Sequence, residues 1–335
     1  MRVDADDFAR PCSCGKEHHI DVKGILIESG AVEKLEEEMS EGELREYISP
    51  LLICDTNTCK ATEEIMEDIY DRCQVLVLDA DDLQADEHAV EIVENYMEED
   101  IDLVLAVGSG AIHDISRYVA HKYRIPFVSV PTAASTDGFV STMAAMIWNG
   151  SPKTVQAAAP VYVFADTDIF SGAPSELRAD GVMDILGKYI CLADWKIAHI
   201  LNGRYYCEEV AELEQKAIRI VQDNLKDIAD GDKDACEKLM YALMLSGIAM
   251  EMTRGSETAF GAEEYLLRNH PEAFKGKTMA EGLIQVVGEL RQAAEKQDYL
   301  PEIVETIEEL PSPDEMRKML GMAGCISTSK RMKHK

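Results

Sequence analysis

No stretch of this chain approaches the roughly eighteen consecutive apolar residues of a membrane span. Its opening, MRVDADDFARPCSCG, lacks the apolar core of a secretory signal. A cytoplasmic location is therefore the expectation. Positive charge is scarce as well: 33 Lys and Arg stand against 63 Asp and Glu, a formal net charge of -30. Nucleic acids and anionic membrane surfaces both require basic patches, so neither is an expected partner. The chain has no internal repeat, no low-complexity linker and no G-x-G-x-x-G fingerprint. Its nine cysteines are odd in number and scattered, which points to reduced thiols rather than a disulfide framework. One cluster stands apart, CSCGKEHH, with Cys12, Cys14, His18 and His19. A C-x-C followed by adjacent histidines is not a standard structural zinc spacing. A plain surface loop is the expectation there, with a metal as the alternative.

What is present is a globular pattern: 335 residues, 46% of them hydrophobic, with a mean hydropathy of -0.16. Apolar runs such as GILIESG, PLLICDT, CQVLVLD, DLVLAVG and IPFVSVPT alternate with amphipathic stretches including AVEKLEEEM, ATEEIMEDIYDRC, DEHAVEIVENYMEED and AIHDISRYVAHKY. Strands alternating with helices of this length predict βαβ units and a parallel sheet. APVYVFADTDIF reads as one more strand with a turn. From about Ser175 only long helical periods follow, from ELRADGVMDILGKYICLADWKIAHIL to KTMAEGLIQVVGELRQAAEKQ. The pattern predicts an α/β dinucleotide-binding domain over 1–170 and an all-α domain over 171–335. The basic tail STSKRMKHK is expected to fray.

Chemistry collects where strands end. DLVLAVGSGAIHD sets Gly108, Ser109 and Gly110 between a buried strand and a helix start. Small residues let a backbone approach a diphosphate, and the unpaired N–H groups of the helix face the anion. An ordinary connecting turn has the same composition. SVPTAASTDGFVS ends a second strand in Thr132, Ser135, Asp137 and Ser141. Two such ends define a crevice at the carboxyl edge of a parallel sheet, where ligands bind. A carboxylate there, Asp137, suits a substrate hydroxyl, or else caps a turn.

Taken together, GSGAIHD, PTAASTDGF, FADTDIFSGAPSELRADGVMDILGKYICLADWKIAH and GRYYCEE resemble the bacterial glycerol-1-phosphate dehydrogenases. These belong to the superfamily of iron-containing alcohol dehydrogenases, glycerol dehydrogenase and dehydroquinate synthase. CSCGKEHHI also resembles the opening of those bacterial proteins. The resemblance implies a dehydroquinate synthase-like fold with a cleft between an α/β and a helical domain. It implies hydride transfer between NAD(P)H and dihydroxyacetone phosphate or a related polyol phosphate, a place in phospholipid metabolism, and a homodimer or larger homo-oligomer. By the same resemblance Gly108, Ser109, Gly110, Ala111 and Ile112 form the diphosphate loop. Thr132, Ala133, Ala134 and Ser135 form a second cofactor segment, with Ser141 also near the cofactor, and Asp137 binds substrate. Asp55 matches a position where a carboxylate accepts hydrogen bonds from the adenosine ribose. It would repel a ribose phosphate, so NAD is expected over NADP.

The resemblance breaks at the metal. The family's zinc is held by an aspartate in a G-D-x-x-x-K helix and by two later histidines, and it polarises the ketone that accepts hydride. Asp184 in GVMDILGK matches the aspartate, with Lys188 one turn on along the same face. Where the family has histidines, this chain has FGAEEYLLR and FKGK: Glu264 at the ligand position, Arg268 at a substrate contact, Lys275 at the later ligand. Three readings stay open. Asp184 and Glu264 hold a harder divalent ion; or Lys275, with Arg268, sets a side-chain cation where the metal stood; or the family's catalysis is lost. Ion-pair replacement, without the usual zinc, is the expectation. His270, Lys153, Thr154 and Arg254 are weaker candidates for ligand or anion contacts. Beside the dehydrogenase stand two alternatives, a diverged enzyme using bound NAD for other chemistry and a catalytically silent nucleotide-binding homologue.

Overall fold

A computed structural model of the chain describes residues 2–4, 7–8, 11–255, 278–296 and 299–326. The chain divides into two compact units, Met1–Arg10 with His18–Pro174, and Pro11–Glu17 with Ser175–Lys335.

The first unit is a doubly covered sheet. Its strands are β1 (Arg2–Asp4), β2 (Gly24–Glu28), β3 (Pro50–Asp55), β4 (Gln74–Leu78), β5 (Leu103–Gly108), β6 (Phe127–Pro131) and β9 (Tyr162–Asp166), in the order β1-β2-β9-β6-β5-β3-β4. All neighbours are parallel except β1 with β2. Every residue of β3, β5 and β6 is buried, the pattern of central parallel strands covered on both faces. Alternation then divides them. Leu51, Ile53, Val104 and Ala106 join one core, and Leu52, Cys54, Leu103 and Leu105 join the other. Helices α1 (Ala31–Ser40), α4 (Glu87–Tyr96) and α5 (Gly110–Tyr123) bury their apolar stripes on these faces.

Two local departures from the sequence reading have physical causes. ATEEIMEDIYDRC is not one helix. Asp55 starts α2 (Thr56–Thr62) directly at the strand end, through a capping box with Thr58. Thr62 then bonds back to the Thr58 carbonyl and across to the Tyr70 hydroxyl, each at 2.8 Å, and a separate α3 (Glu67–Arg72) follows. The second departure is an antiparallel hairpin, β7 (Met143–Trp148) and β8 (Ser151–Gln156), which pairs Trp148 with Ser151. Its loop is Asn149-Gly150, at φ 52 and 69, the left-handed pair that a two-residue hairpin turn needs.

After the short α6 (Thr167–Phe170), the second unit supplies α7 (Ser175–Asn202), α8 (Glu208–Asp230), α9 (Lys233–Thr253), α10 (Met279–Lys296), α11 (Pro301–Glu308) and α12 (Pro313–Met322). α8 buries Val210, Glu214, Ala217, Val221, Leu225 and Ile228, a single stripe. α9 is buried on nearly every side from Leu239 to Met252, as befits the central helix of a bundle. Gly231 in a left-handed turn ends α8, and Asp232 caps the start of α9. Among the described residues no helix is long and apolar enough to cross a membrane.

Gly150→Ala puts a side chain at φ 69, where nothing lies within 4 Å of it, so the penalty is backbone strain alone. An Ala variant should lose about 1 kcal/mol, read from the urea midpoint. An unchanged midpoint would remove the left-handed turn from this hairpin.

Candidate functional site

The carboxyl edge of the sheet is built around the turn from β5 into α5. Gly108 has a packing role: a Cβ there would lie 2.6 Å from the Cβ of Ile112. Strand and helix are too close for any larger residue. Gly110 differs. Its Cβ would meet nothing nearer than Thr136 Cγ2 at 3.8 Å, so the fold itself does not demand glycine. The bare backbone there leaves room for something from outside. Ser109, the N-cap of α5, makes no side-chain capping bond. The first N–H groups of α5, on Gly110, Ala111 and Ile112, have no acceptor within the helix. The partial positive charge of a helix start adds to them. This is a cradle suited to a phosphate group.

Two residues that the sequence reading passed over hold the turn in place. His113 is buried. Its Nδ1–H donates to the Ser109 carbonyl at 3.0 Å, and the Ser129 hydroxyl donates to Nε2 at 2.8 Å. Burial pushes its pKa down to about 3, and the Arg117 charge adds to the effect against the backbone bond. The ring is therefore neutral, in one tautomer. Arg117, one turn further and fully buried, donates from Nη1 to the Ser141 carbonyl and, at 3.0 Å, to that of Met143, and from Nη2 to that of Gly138. It ties the second loop to α5.

That second loop begins beside the first. Thr132 N donates to the Gly108 carbonyl at 2.9 Å, and Gly108 pairs with Pro131 in the sheet. Ala133 and Ala134 are buried, while Ser135 is half-buried. Asp137 is buried and opens a short 3-10 turn, Asp137–Val140, whose cap Thr136 accepts from Gly138 N. Ser141 is buried, and its Oγ accepts from Met143 N at 2.9 Å, so this side chain shapes the loop. Burial pushes the Asp114 carboxyl up to about 6; the Arg117 guanidinium, 3.8 Å away, pulls it back down, and the Asp137 charge adds to the rise. Asp55 closes β3 and accepts from Asn57 N and Thr58 N, both on Oδ1. Residues 108–112, residues 132–135 and Asp137 thus lie at the ends of two adjacent strands of one sheet.

In the helical unit, Asp184 and Lys188 face one another along α7 with Nζ 3.1 Å from Oδ1. Lys188 is buried, and burial, reinforced by the Asp184 charge, raises the neighbouring Asp180 carboxyl. Arg254 ends α9 in a left-handed conformation. Lys153 is exposed on β8, in register with Met146. Glu264, Arg268, His270 and Lys275 lie outside the described residues. The signal for His113 and Arg117 was in the sequence: two polar residues four apart on an otherwise apolar helix face, directly behind a glycine turn. That spacing puts both on the side that packs against the sheet.

The two glycines predict opposite outcomes. Gly108→Ala should destabilise the fold by about 1–3 kcal/mol through overpacking, with partial rescue by Ile112→Ala. Gly110→Ala should leave the unfolding midpoint nearly unchanged while weakening dinucleotide binding at least tenfold by calorimetry. Equal binding by the Gly110 variant would remove the cradle. His113 adds a pH signature. Its folded pKa lies below its unfolded value, so stability is intact above about 6.5 and falls as pH drops toward 3, where the unfolded chain takes a proton that the fold refuses. His113→Gln should flatten that decline in urea unfolding across the same pH window. Equal steepness in variant and parent would clear His113.

The comparisons with known proteins agree with this geometry. A family model for iron-containing alcohol dehydrogenases matches residues 26–174. A glycerol-1-phosphate dehydrogenase [NAD(P)+] of Geobacillus thermodenitrificans is 33% identical over 93% of this chain and 86% of its own length. That of Geobacillus stearothermophilus is 33% identical over 95% of this chain and 87% of its own. Among solved structures, maleylacetate reductase from Agrobacterium tumefaciens superposes with a TM-score of 0.71 at 14% identity, covering 92% of this chain and 85% of that one. At that identity the likeness speaks for the fold alone. The identity to the two Geobacillus proteins along nearly the whole length speaks for descent: this chain belongs to the glycerol-1-phosphate dehydrogenase family, within the iron-containing alcohol dehydrogenase superfamily.

Proposed function

We propose that this protein is an NAD-dependent dehydrogenase that interconverts dihydroxyacetone phosphate and glycerol 1-phosphate. The observation that carries the proposal is the pair of strand-end loops joined by the Thr132 to Gly108 bond. One offers free helical N–H groups at a glycine with room for a ligand, and the other presents a buried aspartate. In this reading the N–H groups of Gly110, Ala111 and Ile112 hold the cofactor's diphosphate. Thr132, Ala133, Ala134, Ser135 and the loop ending at Ser141 shape the cofactor's bed. Asp137 accepts a hydrogen bond from a substrate hydroxyl. Asp55 takes the adenosine ribose on Oδ2, since its capping bonds fall on Oδ1, and it disfavours a ribose phosphate.

Reduction moves a hydride from the nicotinamide to the carbonyl carbon of the ketone and a proton to its oxygen. The negative charge that develops on this oxygen needs a preorganised positive group. The residues at the family's zinc positions, Asp184, Glu264 and Lys275, do not fit zinc. An ammonium is a donor only and must lose its proton to bind a metal, so Lys275 is a poor ligand at the later position. The charge is therefore carried by side chains, Lys275 and Arg268, with Lys188 balancing Asp184. By family resemblance the enzyme works as a cytoplasmic homodimer and serves phospholipid synthesis.

Absorbance at 340 nm with dihydroxyacetone phosphate should show turnover with NADH, a lower kcat/KM with NADPH, and at least half of the rate kept after EDTA treatment. Lys275→Met should cut kcat by about a hundredfold or more, and Asp55→Ser should narrow the NADH preference. Loss of a bound metal in Asp184→Asn together with loss of activity would overturn the metal-free reading. Tightly bound NAD without net NADH consumption under any metal condition would favour a diverged reaction instead.

A further inference from the structure

The CSCGKEHH motif takes no part in the nucleotide crevice, and its surroundings in the fold are not those of a plain surface loop. Pro11 and Glu17 pair as an antiparallel bridge, and Gly15 N donates to the Cys12 carbonyl at 3.1 Å. Gly15 sits at φ 80, a left-handed position that closes the turn tightly. The two thiols of this knuckle are brought together, with Cys14 N donating to Cys12 Sγ at 3.5 Å. The segment packs on the turn between α7 and α8. Cys207, the N-cap of α8, is fully buried, and its Sγ lies 3.4 Å from that of Cys12. Cys14 Sγ lies 3.4 Å from the Tyr205 hydroxyl. His18, four residues after Cys14, is buried. One donor atom each from Cys12, Cys14, His18 and Cys207 falls within 4.8 Å of all the others.

We propose that Cys12, Cys14, His18 and Cys207 form a closed structural metal site that binds zinc. The chemistry of the donors selects the ion. Three thiolates and one imidazole are the soft and borderline ligands of zinc and are poor ligands for magnesium or calcium. The number of donors selects the role. Four protein ligands fill a tetrahedral shell and leave no position for water or substrate, so the site holds structure rather than performing catalysis. The distances fit as well. With zinc–sulfur bonds of about 2.3 Å, tetrahedral sulfurs stand about 3.7 Å apart. The Cys12–Cys207 pair is already near that value, and the widest pair must close by about 1 Å.

A disulfide explains less. It would use Cys12 and Cys207 only, and would not account for the convergence of Cys14 and His18 on the same point. The neighbours suit an outer shell: the Cys14 N–H donates to Cys12 Sγ, and the Tyr205 hydroxyl, within reach of Cys14 Sγ, is a donor to it once that sulfur is a thiolate. Tyr205 is itself held, its carbonyl accepting from Trp195 Nε1 at 2.7 Å and its ring lying 3.4 Å under the Lys16 ammonium. The metal would clasp a loop near the start of the sequence to a helix turn 195 residues further on. It is separate from the family's zinc position, to which this chain brings Asp184 and none of these four residues.

The test is elemental analysis of the full chain, purified without chelator or affinity tag from zinc-sufficient medium. About one zinc per chain is expected. It should persist in Asp184→Asn and be lost in Cys207→Ser and in the Cys12→Ser, Cys14→Ser double variant. Cobalt substitution of the parent protein, which needs no mutant to fold, should give thiolate-to-cobalt charge-transfer bands and tetrahedral visible bands. Iodoacetamide should label Cys12, Cys14 and Cys207 only after a strong chelator is added. Three outcomes would overturn the proposal: labelling of these cysteines without chelator in the protein as purified from zinc-sufficient medium, a Cys12–Cys207 disulfide in non-reduced peptide maps, or a metal that leaves with Asp184→Asn and stays with Cys207→Ser.

Discussion

Arg117 leaves α5 inside the apolar layer and gives its guanidinium protons to the carbonyls of Gly138, Ser141 and Met143. Backbone carbonyls buried at the end of a loop must find donors, and a buried guanidinium must find acceptors. Each meets the other's need. The consequence is positional. The same helix that begins at the glycine turn also anchors the loop that carries Asp137, so cradle and carboxylate are referred to one rigid element. Asp114 supplies the countercharge one turn before Arg117, and burial raises its pKa.

His113 performs the complementary task at the front of that helix. A charged imidazole there would repel Arg117 and would lose its acceptor role toward Ser129. Burial keeps the ring neutral, with its single N–H directed at the Ser109 carbonyl. The turn between β5 and α5 is thus braced from behind, and its N–H groups are left to face outward. A site that binds an anion through its backbone gains from such bracing, because donors fixed beforehand need no reorganisation when the ligand arrives.

The helical unit presents a different electrostatic problem. Lys188 is a buried ammonium, which is tolerable only beside a carboxylate, and Asp184 is that carboxylate. The sulfur-rich cluster at the α7–α8 turn is a different donor set, three thiols and one imidazole, and the role proposed for it is architectural.

Much of this was legible in the residues alone. The alternation of buried strands with amphipathic helices, the switch to helices near residue 175, the glycine turn and the serine- and aspartate-rich strand end all follow from local periodicity and from backbone sterics. These act over a few residues and leave a mark at each. The Asn149-Gly150 hairpin is equally local, but its strands are unevenly buried and leave only a weak alternation to read. What the tertiary structure decided was pairing over distance. That Arg117 would bond carbonyls beyond Gly138, that Gly108 owes its place to Ile112 while Gly110 does not, and that Cys207 would complete a set begun at Cys12 are facts about which surfaces meet. No periodicity encodes them, because a contact between residues 195 positions apart leaves no spacing in the sequence to read.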